Sequence, residues 1–360
     1  MSLVAMNNST TFVYGSELQG SGRTSTENMV VGLTILILAV TGLIFGVIDL
    51  YYIKTVKIFH NAFGWFWSSR TVGEMIVNSG YALYQGPATI IQLRGIPPGL
   101  GILGYCVLCF GAVTSCLIHA GIAVNRNRAV YSPLTYEHIF TRKNSYAYIA
   151  FSFISAALLI PTLFVFPCNL IGYSPQQYTF IFVKCYAGQQ RDFSYVGTVI
   201  NHFCMTLCSC TVLVDITTFL RILYIIMVLK THKNDDLFAR NVRFFKQSAF
   251  QNIIMIAGLA ATVHQNYANV PVDKMDEKHK ILNLAETYGL LVIHVADPLS
   301  LILFNPEVRG RLIGTISQQS TGSSDQKLFH SRTGITSALY PDPTTCAPNQ
   351  KIDAETVHEL

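Results

Sequence analysis

Two stretches of this sequence place ionisable groups where hydrocarbon is expected. In "SSRTVGEMIV", Arg70 and Glu74 sit four residues apart within an apolar run, and in "HVADPLSLILFNPEVR" Asp297 immediately precedes Pro298. A charge buried in a bilayer is costly, so each carboxylate is a functional candidate by default. The i, i+4 spacing lets Arg70 neutralise Glu74 on one helix face. A structural ion pair hidden between helices and a switch occupied by a proton or sodium both fit that spacing. Proline removes a backbone bond and kinks a helix where a rearrangement can pivot. Glu74, Asp297 and Pro298 are therefore read as an activation switch. A third stretch, "GIAVNRNRAVYSPLTYEHIF", ends a run from about Leu100 to Val124 that holds no Lys, Arg, Asp or Glu. There Asn125 and Arg126 close the helix, with Pro133 seven residues beyond Arg126 as a helix breaker. The Arg126 charge is expected to snorkel to water, and a purely topogenic arginine is the plain reading of it. Asp215 and Arg221 are close in sequence and are expected to form an interfacial pair. No phosphate-binding glycine loop, nucleophile elbow or zinc-helix signature occurs, and the histidines show no metal spacing. No enzyme, cofactor or metal is expected.

The elements that must position these groups are membrane helices. Apolar residues make up 51% of the 360 and charged residues 12%, with a mean hydropathy of +0.38. A soluble domain carries about 25% charged residues. The net charge of +5 is too small to suggest nucleic acid as a partner. A bilayer core takes about 20 apolar residues per helix. Strong runs lie near Met29–Tyr52, Leu100–Val124, Tyr146–Pro167, Phe193–Leu220 and Ile281–Phe304, with weaker ones at Ala62–Leu83 and Ala249–Val270. Seven helices follow, with six as the alternative count. With the N-terminus outside, the inner loops hold Lys54, Lys57, Arg126, Arg128, Arg142, Lys143, Arg221, Lys230, Lys233, Arg240, Arg243, Lys246, Arg309 and Arg311. The outer segments hold Arg23, Arg94, Lys184, Arg191, Lys274, Lys278 and Lys280, so the balance is fourteen to seven. The positive-inside rule then puts the N-terminus outside.

The expected organisation is an extracellular segment over 1–28, a seven-helix bundle over 29–304, a short amphipathic helix over 305–313 and a disordered cytoplasmic tail over 314–360. The first 28 residues lack the basic-then-apolar pattern of a cleavable signal. Asn7 and Asn8 each open an Asn-x-Ser/Thr glycosylation triplet. Beyond the seventh helix, Asn305 can cap, Pro306 suits the first helical position and Glu307 favours the first turn. Phe304, Val308 and Leu312 recur at helical spacing, which suits a helix along the membrane surface. Cys106, Cys109, Cys116, Cys204, Cys208 and Cys210 fall inside helices and read as small hydrophobes. Pocket candidates near the outer helix ends are Tyr81, Tyr84, Gln85, His202, His264, Gln265 and Glu286, although Tyr and His there also serve as interfacial anchors.

Taken together, "SSRTVGEMIV", "AVNRNRAVYSPLTYEHIF", "RFFKQSAFQN" and "HVADPLSLILFNPEVR" resemble the nematode serpentine chemoreceptors of class X, within the rhodopsin-like G-protein-coupled receptors. The resemblance spans roughly residues 30 to 312. It implies a multi-pass plasma-membrane receptor of sensory neurons and their cilia. Such a receptor binds a small environmental or pheromonal molecule in the outer half of the bundle and activates a heterotrimeric G protein. Asn125, Arg126 and Pro133 would carry G-protein coupling. Asn125 stands where the superfamily usually has an acid, Gly46 replaces the usual Asn of the first helix, and Leu301 stands where a Tyr is usual. Glu74 stands where the class usually has Asn, and the sixth helix has neither Trp nor Pro. The superfamily's disulfide would need a Cys near Gly101. Cys168 and Cys185 bracket the second outer loop in an oxidising compartment, so their mutual bridge is favoured over one to Cys106. A ligand-gated channel or transporter is the alternative function, disfavoured by the absence of internal repeats and by a single proline-kinked helix.

Overall fold

The computed structural model describes residues 12–228, 246–258, 260 and 276–320. His264, Gln265, Asn7 and Asn8 lie outside these, as does the tail from 321. The chain divides into a unit from Met1 to Arg309, which holds the bundle, and a second from Gly310 onward.

Helix α1 (Thr26–Thr55) begins where the Ser25 hydroxyl accepts the Asn28 N–H at 3.1 Å, with Glu27 in the first turn. Its thirty residues extend about 45 Å at the helical rise, enough to cross a bilayer. Helix α2 (Ala62–Gly80) starts on an Asn61 cap. It then widens into a π turn over Tyr81–Gln85 and continues as α3 (Gly86–Ile91). Pro87 accounts for the widened turn: it has no N–H to give, and its ring crowds the carbonyl four residues back. Helix α4 (Pro98–Tyr131) leads into α5 (Pro133–Ile139), then α6 (Arg142–Leu159) and the short α7 (Thr162–Val165). Helices α8 (Tyr195–Val228), α9 (246–258) and α10 (Glu277–Phe304) follow, and α11 (Pro306–Ser320) closes the described chain. At the start of α10 the Asp276 side chain accepts the His279 N–H at 2.9 Å, and this backbone bond holds its carboxyl below the usual range.

Among the described residues, five helices are long and apolar enough to span a membrane, and they cover the five strong hydropathy runs. The α2–α3 segment occupies the weaker run at Ala62–Leu83, and α9 covers the first part of the run at Ala249–Val270, most of whose remainder lies outside the described residues. Helix α2 packs between α1, α4 and α10. It lies close against α4 at paired glycines: a Cβ on Gly111 would lie 2.7 Å from the Gly73 carbonyl oxygen. Small residues permit such backbone contact in membrane bundles.

One element departs from an all-helical reading. Strands β1 (Ile171–Ser174) and β2 (Thr179–Phe182) pair antiparallel, with Ile171 opposite Phe182 and Ser174 opposite Thr179. This hairpin caps one end of the bundle. Its Tyr178 hydroxyl donates to Asn28 Oδ1 at 2.5 Å, and its Tyr173 hydroxyl bonds that of Thr89 at 2.6 Å. Asn283 Nδ2 and the Thr287 hydroxyl donate to the Gln177 and Tyr178 carbonyls. Helix α11 runs to Ser320, seven residues beyond the expected end at 313. Its Asn305 cap accepts the Glu307 and Val308 N–H groups at 3.0 and 3.3 Å.

Candidate functional site

Arg70 projects from the middle of α2 into the bundle and is 3% exposed. Its Nη2 pairs with the Asp297 carboxylate of α10, and its Nε lies 3.5 Å from Glu74 Oε1 one turn on. Glu74 is also bonded to the His294 ring of α10. The expected Arg70–Glu74 pair is thus one edge of a larger cluster. Arg70 Nη1 also donates to His119 Nδ1 of α4 at 2.7 Å. That acceptor role leaves the His119 proton on Nε2, which donates to Asn252 Oδ1 of α9 at 3.0 Å. Asn252 Nδ2 in turn donates to Asp215 Oδ2 of α8 at 2.7 Å, and the Ser248 hydroxyl donates to the same oxygen at 2.6 Å. Bonds donated outward from Arg70 of α2 therefore reach Asp297 of α10 on one side and, through His119 of α4 and Asn252 of α9, Asp215 of α8 on the other. In a low-dielectric interior such a chain holds its members together, and a missing partner is costly.

Asp215 thus does not pair with Arg221. Its partners come from α9, and Arg221 lies over the Tyr131 and Tyr224 rings at 5.6 and 5.3 Å. Pro298 also shapes the site. It supplies no N–H to the His294 carbonyl four residues earlier, and Asn78 Nδ2 of α2 fills that vacancy at 3.1 Å. Below the kink, the Ser300 hydroxyl donates to the Asp297 carbonyl and accepts from Gln251 at 2.9 Å, tying α9 to α10. Asp49 of α1, fully buried, accepts from the Trp67 indole at 3.4 Å.

A cavity of about 130 Å³ extends from the hairpin to this cluster. Ile171, Phe180 and Phe182 line it at the hairpin end, and Arg70, Glu74, His294 and Asp297 line it at the other. Of the five pocket candidates among the described residues, Glu286 alone is on its wall, where Oε2 accepts the Thr179 hydroxyl at 2.6 Å. Tyr81 is buried in an apolar cluster with Val31, Ile35 and Leu291. Tyr84 packs against Tyr173 at 6.3 Å. Gln85 is buried in the π turn, and neither amide atom has a partner among the described residues. His202 is exposed, its ring bonded to the Thr198 carbonyl of its own helix.

At the opposite end, Asn125 is buried and donates to the Tyr136 hydroxyl at 3.0 Å, fastening α5 beneath α4. Pro133 opens α5, where its missing N–H costs nothing. Arg126 does not snorkel. Its guanidinium lies over the Phe63 ring at 5.4 Å, and Nε, Nη1 and Nη2 are all buried without a hydrogen-bond partner among the described residues. Phe63, in the first turn of α2, covers the charge that the helix-end position alone would leave in water. Cys168 and Cys185 are disulfide-bonded across the base of the hairpin, with Cα atoms 5.6 Å apart, and Cys106 is a buried free thiol.

Residue types alone did not single out His119, His294, Asn78, Asn252 or Asp49. Each is one polar residue in an apolar helix, and its significance lies in a partner on another helix. His294, one turn before Asp297 on α10, carried the most legible signal.

A bundle of apolar helices knit by a buried charge network, with a disulfide-tied hairpin over one end and an internal cavity, is the architecture of an α-helical membrane protein. Residues 36–305 match the serpentine type 7TM GPCR chemoreceptor Srx family, and the chain belongs to that family. It is a chemosensory receptor family and not an enzyme family. A comparison with curated proteins matches none of them.

Proposed function

We propose that this receptor binds a small environmental or pheromonal molecule in the cavity beneath the hairpin and responds by activating a heterotrimeric G protein. On this reading it is a multi-pass protein of the plasma membrane of sensory neurons and their cilia. The hairpin end and the N-terminus face outward, and Arg126 and α5 face the cytosol. One observation carries the proposal: the cavity beneath the hairpin ends on the Arg70–Glu74–His294–Asp297 cluster, whose bonds reach α2, α4, α8, α9 and α10. A ligand that alters any bond of the cluster biases the relative positions of five helices. Differential binding to two such arrangements is what shifts a receptor equilibrium. Glu74, Asp297 and Pro298 are the switch on this reading, and the proline-freed His294 carbonyl is where α10 pivots against Asn78.

Arg126 is the coupling residue. A buried guanidinium without an acceptor is costly, and the arriving G protein supplies acceptors. The test is nucleotide exchange on a co-expressed heterotrimeric G protein, normalised to surface receptor. Arg126→Ala abolishes exchange with little loss of receptor stability, because the substitution removes a buried charge that has no hydrogen-bond partner among the described residues. Arg126→Lys signals poorly, since it keeps the charge and loses the planar fork. Asn125→Asp places an acid beside the arginine and lowers ligand-independent exchange. Unchanged exchange in Arg126→Ala refutes the assignment. Ligand-evoked current in membranes free of G protein would instead favour the channel or transporter reading.

A further inference from the structure

Among the described residues, the cavity wall holds more acidic groups than fixed cations. It carries three carboxylates, Glu74, Asp297 and Glu286, and one guanidinium, Arg70. Arg70 is committed to Glu74 and Asp297 at the deep end, and His294 is bonded to Glu74. Glu286 is left at the hairpin end, 6% exposed, with no cation partner among the described residues. Oε2 takes the Thr179 hydroxyl. Among the described residues, no lysine, and no arginine other than Arg70, lines the cavity. The nearby cations of this end are engaged elsewhere: Lys280 pairs with Glu27, while Arg191 donates to the Cys168 carbonyl and lies over Tyr195 at 4.6 Å. A buried carboxylate without a counter-charge is costly and is relieved either by a proton or by a cation, so an occupant that supplies a positive charge is favoured over one that does not.

The rest of the wall suits the same occupant. Tyr105, Phe180, Phe182 and Phe193 contribute rings to it, with Tyr105 and Phe180 packed edge-on at 5.3 Å. Aromatic faces attract cations and accept apolar bodies. The volume of about 130 Å³ sets the scale of the ligand. A cavity of roughly 150 Å³ accommodates benzene, so the occupant has about one ring or a short branched chain. Apart from Glu286 the described residues at the hairpin end of the cavity offer hydroxyl and amide groups, from Ser194, Thr198 and Asn201, and no fixed cation that would receive an anion.

We infer that the ligand of this receptor is a small organic ammonium ion, its charged nitrogen held by Glu286 and its apolar body held by the aromatic wall beneath the hairpin. This rests on the cavity being the ligand site of the proposed receptor, and it adds the ligand's charge and size. The ammonium donates to the free side of the carboxylate while Thr179 holds the other oxygen. Glu286 acquires its partner only on binding, and through Thr179 that event reaches the hairpin.

The test uses full-length receptor purified into lipid nanodiscs, without G protein, and reads thermal unfolding against increasing probe concentration. The probes are benzylammonium chloride, its neutral isostere benzyl alcohol, and the anion benzoate, which share a ring and differ in charge. Benzylammonium is expected to stabilise the receptor at concentrations at least about tenfold below benzyl alcohol, and benzoate is expected to have no effect. Glu286→Gln keeps the shape and the Thr179 bond and removes the charge, so it should abolish the benzylammonium advantage. Glu27→Gln, which alters the exposed pair with Lys280, should leave that advantage intact. Equal potency of the three probes overturns the inference. So does the absence of stabilisation by benzylammonium at millimolar concentration, or an undiminished benzylammonium effect in Glu286→Gln. The comparison of probes on the unmutated receptor needs no variant to fold. Because no G protein is present, failure here is separate from failure of nucleotide exchange.

Discussion

Replacing Arg70 with methionine tests whether the buried network holds the bundle together. The side chains of Arg70, Glu74 and Asp297 are 4%, 2% and 5% exposed, so surface screening does not apply and the buried-pair case does. Removing the guanidinium leaves Asp297 without a cation and Glu74 with His294 alone, and it takes the donor from His119 Nδ1. Breaking one side of a buried pair costs about 3–5 kcal/mol. At about 2–4 °C per kcal/mol for a domain of 150–250 residues, the unfolding midpoint of Arg70→Met in nanodiscs should fall by about 6–20 °C. Most of that loss is the stranded charge on Asp297. Arg70→Met combined with Asp297→Asn should therefore be more stable than Arg70→Met alone, with a coupling of about 1–3 kcal/mol in the double-mutant cycle. Arg128→Met, at an exposed position in the last turn of α4, should stay within about 0.5 kcal/mol of the parent. If the double variant melts at the sum of the two single losses, the two side chains are not coupled and the network does not exist as described.

Asn78→Leu should cost about 1–3 kcal/mol, because it leaves the His294 carbonyl unsatisfied. Pro298→Ala restores the helical N–H and should remove most of that penalty, as unfolding of the four cycle members would show. Cys168→Ser and Cys185→Ser should each destabilise by about 2–5 kcal/mol, and the double variant should be no worse than either single. Additive loss of surface expression would mean that the two do not share one bridge. Asn7→Gln with Asn8→Gln should increase gel mobility if the N-terminus faces the secretory lumen, and the same shift should follow glycosidase treatment of the parent.

Hydropathy is a sum over neighbouring residues, and for that reason the spans were legible without a structure. The five strong runs are the five long helices, and the Asn305-Pro306-Glu307 start of α11 is likewise written in adjacent residues. The weaker α2 run was legible as well, because Arg70 and Glu74 lie on one face and neutralise each other locally. The hairpin was not: four residues per strand, bridged by the four residues 175–178, show no period that separates them from an irregular loop. The rotation of a helix about its own axis escapes the sequence for a related reason. Glu286 and His202 are both polar residues near an outer helix end, yet one lines the cavity and the other faces outward, because packing against neighbours sets the angle. Arg126 is the sharpest case. Its place at the end of α4 could be read from the chain, but whether its charge meets water depends on Phe63, more than sixty residues earlier, arriving over it from α2. The same holds along the polar chain. Arg70, His119, Asn252, Asp215 and Asp297 sit on five helices, and a bond between two helices is determined by their register and separation, which only the assembled bundle decides.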